Sequence, residues 1–298
     1  MLGLREQFIP ILKSKGYESI CPEFEQTLSE QQLIELVPEC DGWIIGDDPA
    51  TREVFEAGVS GKLKAAVKWG IGIDNVDFEA CKDLGILISN TPGMFGNEVA
   101  DVALGYLLSL SRRLHLIDRD VRSGFWPKHQ GISLKGKTVG VIGYGDIGKK
   151  TVLRCEAFGL KVIIYDPEIR KVGKKRCLAR WPKKLEQCDF LILTCSLNLK
   201  NFHMINKEIF LKCKNGVRII NVARGQLICE DDLIVALSSG KVHSVALDVF
   251  EKEPIPENSY IRQHPDSILG SHNSSNTLEA VEKTNNKAIN LLLKFLKN

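Results

Sequence analysis

The sequence predicts an α/β protein with parallel sheets, organised as two doubly wound domains. Short apolar runs typical of buried strands alternate with segments of helical periodicity along the whole chain. The chain has 298 residues, which corresponds to two domains at roughly 100 to 200 residues each. A glycine-rich turn at 143–148 lies between a predicted strand and a predicted helix, which is typical of folds with parallel strands.

Composition and charge exclude several classes of partner. Forty Lys and Arg against 37 Asp and Glu leave a net charge of +3, too small to predict a nucleic-acid or membrane-surface protein. No apolar run approaches the ~18 residues of a membrane span, and no signal peptide is evident. The nine cysteines lack a C-x-x-C pair and metal-ligand spacing, so we interpret them as reduced thiols and expect no metal. We expect a soluble, cytoplasmic protein.

The first third of the chain carries four predicted strands separated by helical stretches. Thr27 and Glu30 have the spacing of a capping box before the second helix. Apolar residues at three- and four-residue steps predict one long helix from Glu98 to Arg122. The predicted strands of this part are 18–22, 43–46, 63–69 and 86–90.

The segment 137–166 has the pattern of a dinucleotide-binding βαβ unit, with G-Y-G-D-I-G between its first strand and its helix. In such a unit Gly143 permits the tight turn, Gly145 lets a pyrophosphate approach the backbone, and Gly148 lets helix and strand pack closely. The helix N-terminus adds free N–H groups and a partial positive charge. The sequence therefore predicts a bound dinucleotide.

Asp166, at the end of the second strand of this unit, indicates which dinucleotide is bound. A carboxylate there accepts hydrogen bonds from the adenosine ribose and repels a 2′-phosphate, so we predict NAD rather than NADP. A basic run leaves NADP as an alternative, because it could hold that phosphate. The run consists of Arg170, Lys171, Lys174, Lys175 and Arg176.

Three further predicted strands, 189–195, 216–225 and 242–250, belong to the same sheet. The carboxyl ends of parallel strands line the ligand crevice of such a sheet. Side chains at these ends are therefore expected to contact the nicotinamide half of the cofactor or the substrate. They are Cys195, Val222, Ala223, Arg224 and Asp248.

Several motifs follow one another in a characteristic order: N-V-A-R-G at 221–225, D-V-F-E-K-E-P at 248–254 and S-H at 271–272. With G-I-G-I-D-N-V-D at 70–77 and N-T-P-G at 90–93, they resemble the D-isomer-specific 2-hydroxyacid dehydrogenases over nearly the whole chain. This is the family of phosphoglycerate, D-lactate and glyoxylate/hydroxypyruvate enzymes. The resemblance implies an oxidoreductase that transfers a hydride between NAD and a small D-2-hydroxy acid or 2-keto acid, with D-3-phosphoglycerate as the leading substrate.

The resemblance also implies a Rossmann-like NAD domain inserted into a flavodoxin-like substrate domain. We expect residues 1–97 and 277–298 to form the substrate domain and residues 98–276 the dinucleotide-binding domain. A homodimer through the nucleotide domain is expected, without a regulatory C-terminal domain. Closure of the two domains would exclude water before hydride transfer.

Three side chains have the chemistry that this reaction needs. Arg224 can grip the substrate carboxylate bidentately. His272 would exchange the hydroxyl proton, because an ordinary imidazole titrates near pH 6.5 and serves as both acid and base. Glu253 would hydrogen-bond the imidazole, fix its tautomer and favour the imidazolium. We predict these three as the catalytic residues.

Further roles come from the resemblance alone. It assigns Asp248 to the nicotinamide carboxamide, and Asp146 with Ile147 to the pyrophosphate turn. It assigns backbone contacts with the substrate carboxylate to Gly70, Ile71 and Gly72. The sequence departs from the family where Lys68 and Trp69 precede Gly70 and where Ser271-His272-Asn273 replaces a Pro-His-aliphatic pattern. Lys68 could still meet a phosphate, whereas Trp69 could fill the pocket or stack on a larger substrate.

Two other functions share this scaffold. An NAD(H)-sensing, corepressor-like interaction protein would keep the same fold and the same catalytic residues. A formate or phosphonate dehydrogenase is a third alternative. Turnover separates these functions, because a sensor would bind NADH tightly and reduce 2-keto acids poorly.

No strand precedes the first predicted helix, although a flavodoxin-like sheet places its first strand between the second and the third. Strands 18–22 and 43–46 would each lose a ladder partner, and an unpaired buried backbone group costs about 1 to 3 kcal/mol. We therefore expect the natural chain to begin upstream of Met1 with such a strand, or the first domain to be less stable than the second.

Overall fold

The computed structural model describes residues 5–23, 27–173 and 176–297. The chain divides into two compact units. Unit 1 comprises Met1–Phe95 and Asn276–Asn298, and unit 2 comprises Gly96–Ser275. Each unit contains a parallel sheet, and unit 2 interrupts unit 1 in sequence. The predicted α/β class, with one doubly wound domain inserted into the other, is confirmed.

Helices and strands alternate through both units. The α-helices are α1 (Arg5–Ser14), α2 (Glu30–Leu36), α3 (Arg52–Ser60), α4 (Phe78–Asp83), α5 (Gly96–Arg112), α6 (Leu114–Arg122), α7 (Asp146–Ala157), α8 (Lys207–Lys212), α9 (Glu230–Ser238), α10 (Tyr260–Gln263) and α11 (Leu278–Phe295). The strands are β1 (Gly42–Ile45), β2 (Ala65–Lys68), β3 (Leu87–Asn90), β4 (Thr138–Ile142), β5 (Lys161–Tyr165), β6 (Cys177–Leu178), β7 (Phe190–Leu193), β8 (Val217–Asn221), β9 (Val242–Leu247) and β10 (Ile268–Leu269). None of these helices combines the length and the apolar character that crossing a bilayer requires.

Unit 1 is a three-stranded parallel sheet, in the order β1-β2-β3, with helices on both faces. Successive side chains of a strand point to opposite faces. Ala66 of β2 therefore joins the cluster that Val54 and Phe55 of α3 complete on one face. Ala65 and Val67 point to the opposite face of the sheet, where they pack against Leu292 of α11. The return of the chain into α11 is thus part of the core of this unit.

Two local predictions for unit 1 are wrong. Residues 18–22 form no regular secondary structure. A strand needs a ladder partner for its N–H and C=O groups, and in the described sheet β1 pairs only with β2. The capping box of α2 is formed by Ser29 and Gln32 rather than by Thr27 and Glu30. The predicted absence of a strand ahead of the first helix falls on residues 1–4, which lie outside the described residues.

Unit 2 is a parallel sheet in the order β10-β9-β8-β7-β4-β5-β6. The chain runs from β4 outward to β5 and β6, then returns to the other side of β4 with β7. This reversal is the topological switch point of a Rossmann-type sheet, and ligands bind at the carboxyl ends of the strands beside it. The turn after β4 and the end of β7 are therefore the first places to look for a nucleotide site.

The predicted single helix over 98–122 is wrong, because it is broken into α5 and α6. Arg113 between them has a left-handed backbone, with φ +56°, a conformation that costs a non-glycine residue about 1 kcal/mol or more. The carbonyl of Ser111 accepts a hydrogen bond from the N–H of Ile132, at 2.8 Å, in the loop that follows α6. This contact comes from residues distant in sequence, so the periodicity of the helix contained no sign of the break.

We predict that Trp69→Phe destabilises unit 1. The indole Nε1 of Trp69 donates to Oδ1 of Asn285 in α11 at 2.7 Å, and Asn285 is fully buried. Phenylalanine keeps the ring that packs 5.2 Å from Phe95 but leaves the amide oxygen without its donor, a loss of about 1 to 3 kcal/mol. Urea unfolding should show a lower midpoint. Tyr260→Phe is the control, since it removes a polar ring substituent from a side chain that is 40% exposed, and equal midpoints for both variants would contradict the prediction.

Candidate active site and nucleotide cradle

The turn after β4 leaves room for a ligand because two of its glycines pack directly against backbone. Gly143 has φ +95°, and an added Cβ would lie 2.6 Å from the backbone nitrogen of Cys195. A Cβ on Gly148 would lie 2.1 Å from the carbonyl oxygen of Gly143. At Gly145, by contrast, a Cβ would meet no described atom within 4 Å. The turn therefore forms a cradle with open space in front of the first N–H groups of α7, which suits a phosphate.

Thr194, directly after β7, fixes this turn from the neighbouring strand. Its hydroxyl lies 3.1 Å from the carbonyl oxygen of Ile142 and 2.9 Å from that of Gly143. Cys195 follows, and burial raises the pKa of its thiol to about 11, so the thiol is protonated at neutral pH. The sequence predicted a role for Cys195 but not for Thr194. The available signal was a hydroxyl residue at the end of an otherwise apolar strand.

Asp166 lies just beyond β5, where its carboxylate contacts the glycine-rich turn. Oδ2 accepts from the N–H of Tyr144 at 2.7 Å, and Oδ1 accepts from the N–H of Glu168 at 2.9 Å. A carboxylate accepts up to about four hydrogen bonds, so these two contacts orient the group and leave it capacity for ribose hydroxyls.

Part of the basic run that suggested NADP is already engaged. Arg176 donates bidentately to Glu156, at 2.7 and 2.8 Å, and its third nitrogen donates to the hydroxyl of Tyr144. The paired carboxylate raises the pKa of the guanidinium well above its usual range. Lys174 and Lys175 lie outside the described residues. Arg176 thus supports the turn by binding Tyr144. The basic run in the sequence did not indicate this structural role.

Asp146 and Ile147 open helix α7 at the cradle. The carboxylate of Asp146 lies 3.0 Å from the ammonium of Lys150 one turn along, and an acidic residue in a first turn is favoured by the helix dipole. Ile147 is half-buried. Both residues lie in the first turn of the helix, between Gly145 and Gly148, and their contact with a pyrophosphate stays a prediction.

The turn that carries Arg224 is shaped by a buried amide. Asn221, at the end of β8, is fully buried. Its Nδ2 donates to the carbonyl of Arg224 at 2.8 Å, and its Oδ1 accepts from the N–H of Ala223 at 3.0 Å. Val222 lies between them, buried, and its N–H contacts the carbonyl of Leu193 at 3.4 Å. The half-buried Arg224 side chain donates through Nη1 to the carbonyl of Ala223 at 2.8 Å.

Gly225 brings this turn against the segment that follows β9. A Cβ there would lie 1.8 Å from the carbonyl carbon of Phe250, a distance that no side chain can occupy. Gln226 adds a hydrogen bond from its Nε2 to the carbonyl of Glu251, at 3.2 Å. The Arg224 turn and the segment that carries Glu253 are therefore packed backbone against backbone.

Glu253 and His272 form a hydrogen-bonded pair. Oε2 of Glu253 lies 2.9 Å from Nδ1 of His272, and Oε1 accepts from the N–H of Phe250 at 2.9 Å. Pairing with a carboxylate places a proton on Nδ1, and the lone pair of a neutral imidazole is then on Nε2. The His272 side chain is 34% exposed, so the ring is reachable from solvent. This arrangement is that of an oriented general acid and base.

Asp248 is the buried anchor of the His272 loop, with 2% of its surface exposed. Its carboxylate accepts from the N–H groups of Asn273 at 3.1 Å and Ser274 at 2.9 Å, and its backbone carbonyl accepts from the N–H of His272 at 2.7 Å. These contacts explain how His272 is held in a left-handed conformation, φ +55°. A nicotinamide contact by Asp248 stays a prediction.

Tyr106 of α5 also contacts the Asp248 carboxylate, a role that the sequence did not predict. Burial, and then the neighbouring charge of Asp248, raise the pKa of the Tyr106 hydroxyl well above its usual value, so the phenol stays protonated and hydrogen-bonds the carboxylate. Gly270 must be a glycine, since a Cβ would lie 2.3 Å from Oδ1 of Asp248 and 2.5 Å from the Tyr106 oxygen. The signal for Tyr106 was a hydroxyl group within the apolar stripe of a long helix.

The predicted substrate residues of unit 1 lie at the carboxyl end of β2. Lys68 is 2% exposed, and its ammonium donates to the carbonyl of Gly46 and contacts Asp47 at 3.2 Å. Gly70 has φ +116° and donates its N–H to the hydroxyl of Thr91 at 2.7 Å. The next two residues, Ile71 and Gly72, are exposed and half-exposed. Lys68 therefore braces the sheet end from inside, while the 71–72 segment is the accessible part.

Comparison with known proteins identifies the family. Residues 104–274 match the family described as D-isomer specific 2-hydroxyacid dehydrogenase, NAD binding domain. The chain belongs to this family. A hydroxypyruvate reductase of Thermotoga maritima is 34% identical over 275 residues, 90% of this chain and 89% of that protein. D-lactate dehydrogenase of Aquifex aeolicus, solved with NAD and lactic acid, has a TM-score of 0.86 at 25% identity over 99% of this chain and 94% of the other.

Another relative of the chain is considerably longer. A chloroplastic D-3-phosphoglycerate dehydrogenase of Arabidopsis thaliana is 37% identical over 263 residues, which are 86% of this chain but only 42% of that protein. The chain thus spans less than half of that relative. The predictions of the family and of NAD as the cofactor are confirmed.

We predict that Gly225→Ala disrupts the site without unfolding the sheet. The added methyl group would overlap the backbone of Phe250, so the 250–253 segment must move and carry Glu253 away from His272. We expect any 2-keto acid reduction to fall by about 100-fold or more, since misplacement by about 1 Å costs that much. Gly105→Ala is the control, because a Cβ there meets nothing within 4 Å. Unchanged turnover in Gly225→Ala would show that the packing is dispensable.

Proposed function

We propose that the protein transfers a hydride between NAD and a small D-2-hydroxy acid or its 2-keto acid. The observation that supports this most directly is the pair of Glu253 and His272, held at 2.9 Å on a loop that follows the sheet carrying the glycine cradle. The backbone link from Asn221 to Asp248, at 2.9 Å, and from Asp248 to His272 joins this loop to the Arg224 turn. An anion-binding group and an acid–base group are thus supported by one set of strand ends.

Three side chains divide the work in this proposal. Arg224 binds the substrate carboxylate with its planar fork of donors. His272 takes the proton of the hydroxyl group at Nε2 in the oxidative direction and returns it in the reductive direction. Glu253 keeps Nδ1 protonated and stabilises the positive charge that the ring gains. NAD, when bound, accepts or supplies the hydride.

The cofactor is proposed to bind at the glycine cradle and at the carboxyl ends of the strands. The open space at Gly145 suits the pyrophosphate, and Asp166 suits the ribose hydroxyls. Contacts with the nicotinamide half are proposed for the residues that end β7, β8 and β9. The full set is Gly143, Gly145, Asp146, Ile147, Gly148, Asp166, Cys195, Val222, Ala223 and Asp248.

For the substrate we propose D-3-phosphoglycerate first and hydroxypyruvate or glycerate second. The support is the names of the relatives, D-3-phosphoglycerate dehydrogenase and hydroxypyruvate reductase. Substrate contacts of Gly70, Ile71 and Gly72 are proposed from the family motif. Lys68 is proposed to contribute its charge rather than a direct contact, because its ammonium is bound to Gly46 and Asp47.

We further propose a homodimer through unit 2 and a cytoplasmic location. Large apolar side chains are exposed on α6 and the loop after it, and a contiguous exposed apolar patch is typical of an interface. They are Leu114 at 51%, Val121 at 43%, Phe125 at 66% and Trp126 at 83%. The nine cysteines are all free thiols, which supports a reducing compartment.

We predict that Arg224→Lys lowers kcat/KM about 10- to 100-fold while the Kd for NADH barely changes. Lysine keeps the charge but not the bidentate fork, and a charged hydrogen bond contributes about 1.5 to 3 kcal/mol. NADH absorbance with phosphoglycerate, glycerate, lactate, formate and phosphite, and with their oxidised partners where these exist, gives the rates. Equal loss of NADH binding and turnover would reject the substrate role, and tight NADH binding without turnover in the parent would favour the sensor.

We predict that Asp166→Ser relaxes the preference for NAD over NADP by about 10-fold or more. Removing a negative charge near the ribose removes its repulsion of a 2′-phosphate, which at about 5 Å amounts to a few kcal/mol at most. The ratio of the two kcat/KM values measures it. Glu168→Gln is the control, because it neutralises a neighbouring carboxylate while keeping the backbone N–H that Glu168 donates to Asp166. A parent that already uses both cofactors equally would shift the argument to Arg170 and Lys171.

A further inference from the structure

Three possible metal ligands meet outside the groups assigned to hydride transfer. A ring nitrogen of His203, the thiol of Cys229 and a carboxylate oxygen of Glu251 all lie within 4.8 Å of one another. In the sequence, Cys229 does not form a metal-ligand motif with any of the other eight cysteines. The cluster became visible only when the fold brought three separate segments together.

Each of these side chains is held from its own segment of unit 2. The backbone N–H of His203 donates to the carbonyl of Gln226 at 2.8 Å, and its ring stacks on Phe202 with centroids 4.0 Å apart. Cys229 immediately precedes α9 and donates its N–H to the carbonyl of Ile205 at 2.9 Å. Glu251 lies in the segment after β9. The main chain at His203 and at Cys229 is therefore held in place by contacts that need no ion.

The imidazole of His203 faces the cluster with a polar atom that makes no hydrogen bond. Its Nε2 is shielded from solvent and lies 3.0 Å from Oε1 of Glu251, yet it forms no aligned hydrogen bond with any described residue. Buried polar atoms normally have a partner. An ion beside Nε2, Oε1 and the thiol would supply that partner.

The surroundings of Glu251 are those of an oriented ligand. Its Oε1 accepts from the N–H of Glu230 at 2.8 Å, while Oε1 of Glu230 accepts from the N–H of Glu251 at 2.7 Å. Such outer hydrogen bonds orient metal ligands in known sites. Asp231 and Asp232 add negative charge in the first turn of α9. His203 and Glu251 are 32% and 31% exposed, so an ion can enter from solvent.

We propose that His203, Cys229 and Glu251 bind one Zn²⁺ ion, with water as the fourth ligand. Imidazole nitrogen, thiolate sulfur and carboxylate oxygen are the three donor types that zinc takes in tetrahedral sites. The thiol loses its proton to solvent as the Zn–S bond forms. The ion joins the loop after β7, the start of α9 and the segment that leads to Glu253. Its role is to clamp these segments, separately from the proposed hydride transfer.

Cobalt(II) titration of the chelator-stripped full chain, without substrate or NAD, tests the site. We expect one equivalent of Co²⁺ to give a thiolate-to-cobalt charge-transfer band and tetrahedral visible bands, both removed by Zn²⁺. Cys229→Ser should lose the charge-transfer band. Cys177→Ser is the matched control, another half-buried cysteine of the same unit, and should keep it. His203→Gln and Glu251→Gln should each raise the Kd about tenfold or more.

Two further measurements keep the test decisive. Cys229→Asp retains an anionic ligand, so it should bind Co²⁺ with visible bands but without the charge-transfer band. Zn²⁺ at about the Kd of the parent should raise the Tm of the parent and of Cys177→Ser, and should raise that of folded His203→Gln much less, because stabilisation depends on the ratio of free ion to Kd. A parent without a saturable band, or a Cys229→Ser variant with the same band, would overturn the proposal. NADH binding and turnover are measured separately, so neither result bears on the proposed dehydrogenase function.

Discussion

The buried carboxylate of Asp248 is the interaction on which the candidate site of unit 2 depends. A charge with 2% exposure is strongly destabilising unless hydrogen bonds replace its lost hydration. Here the donors are the N–H groups of Asn273 and Ser274 and the hydroxyl of Tyr106. The loop must fold back over β9 to bring these donors to the carboxylate, and the same contacts hold His272 in its left-handed conformation. Such backbone strain persists only where the surrounding contacts are numerous enough to maintain it.

Close backbone packing also fixes the position of the neighbouring turns at this edge of the sheet. Gly225 and Gly270 allow the turns after β8 and β10 to lie against the end of β9, at distances where a Cβ would overlap other atoms. Gly143 and Gly148 do the same between the turn after β4 and the end of β7. The positions of these turns therefore depend on the absence of a side chain at the glycines as much as on the hydrogen bonds of the other residues. The consequence is an oriented acid–base pair and an open phosphate cradle on one sheet.

The sequence predicted those parts of the molecule whose signals are local. The strands β4, β5, β7, β8 and β9, the G-Y-G-D-I-G turn and the carboxylate at Asp166 each follow from adjacent residues. The two-residue strands β6 and β10 were not predicted. The break at Arg113 could not be predicted, because a loop residue captures the Ser111 carbonyl. The roles of Tyr106 and Thr194 could not be predicted for a similar reason, since their hydrogen-bond partners lie more than 50 residues away along the chain. The cluster at Cys229 likewise joins segments that no spacing rule connects.

On this account the protein transfers a hydride and does not merely bind the nucleotide. The most direct measurement is incubation with NADH carrying deuterium on the transferred position, together with hydroxypyruvate, phosphohydroxypyruvate, pyruvate or glyoxylate, followed by mass spectrometry and chiral analysis of the product. The proposal predicts deuterium on C2 of at least one 2-hydroxy acid, with the D configuration where that carbon is a stereocentre. Retention of all deuterium on the cofactor, at concentrations where NADH binding is saturated, would contradict it.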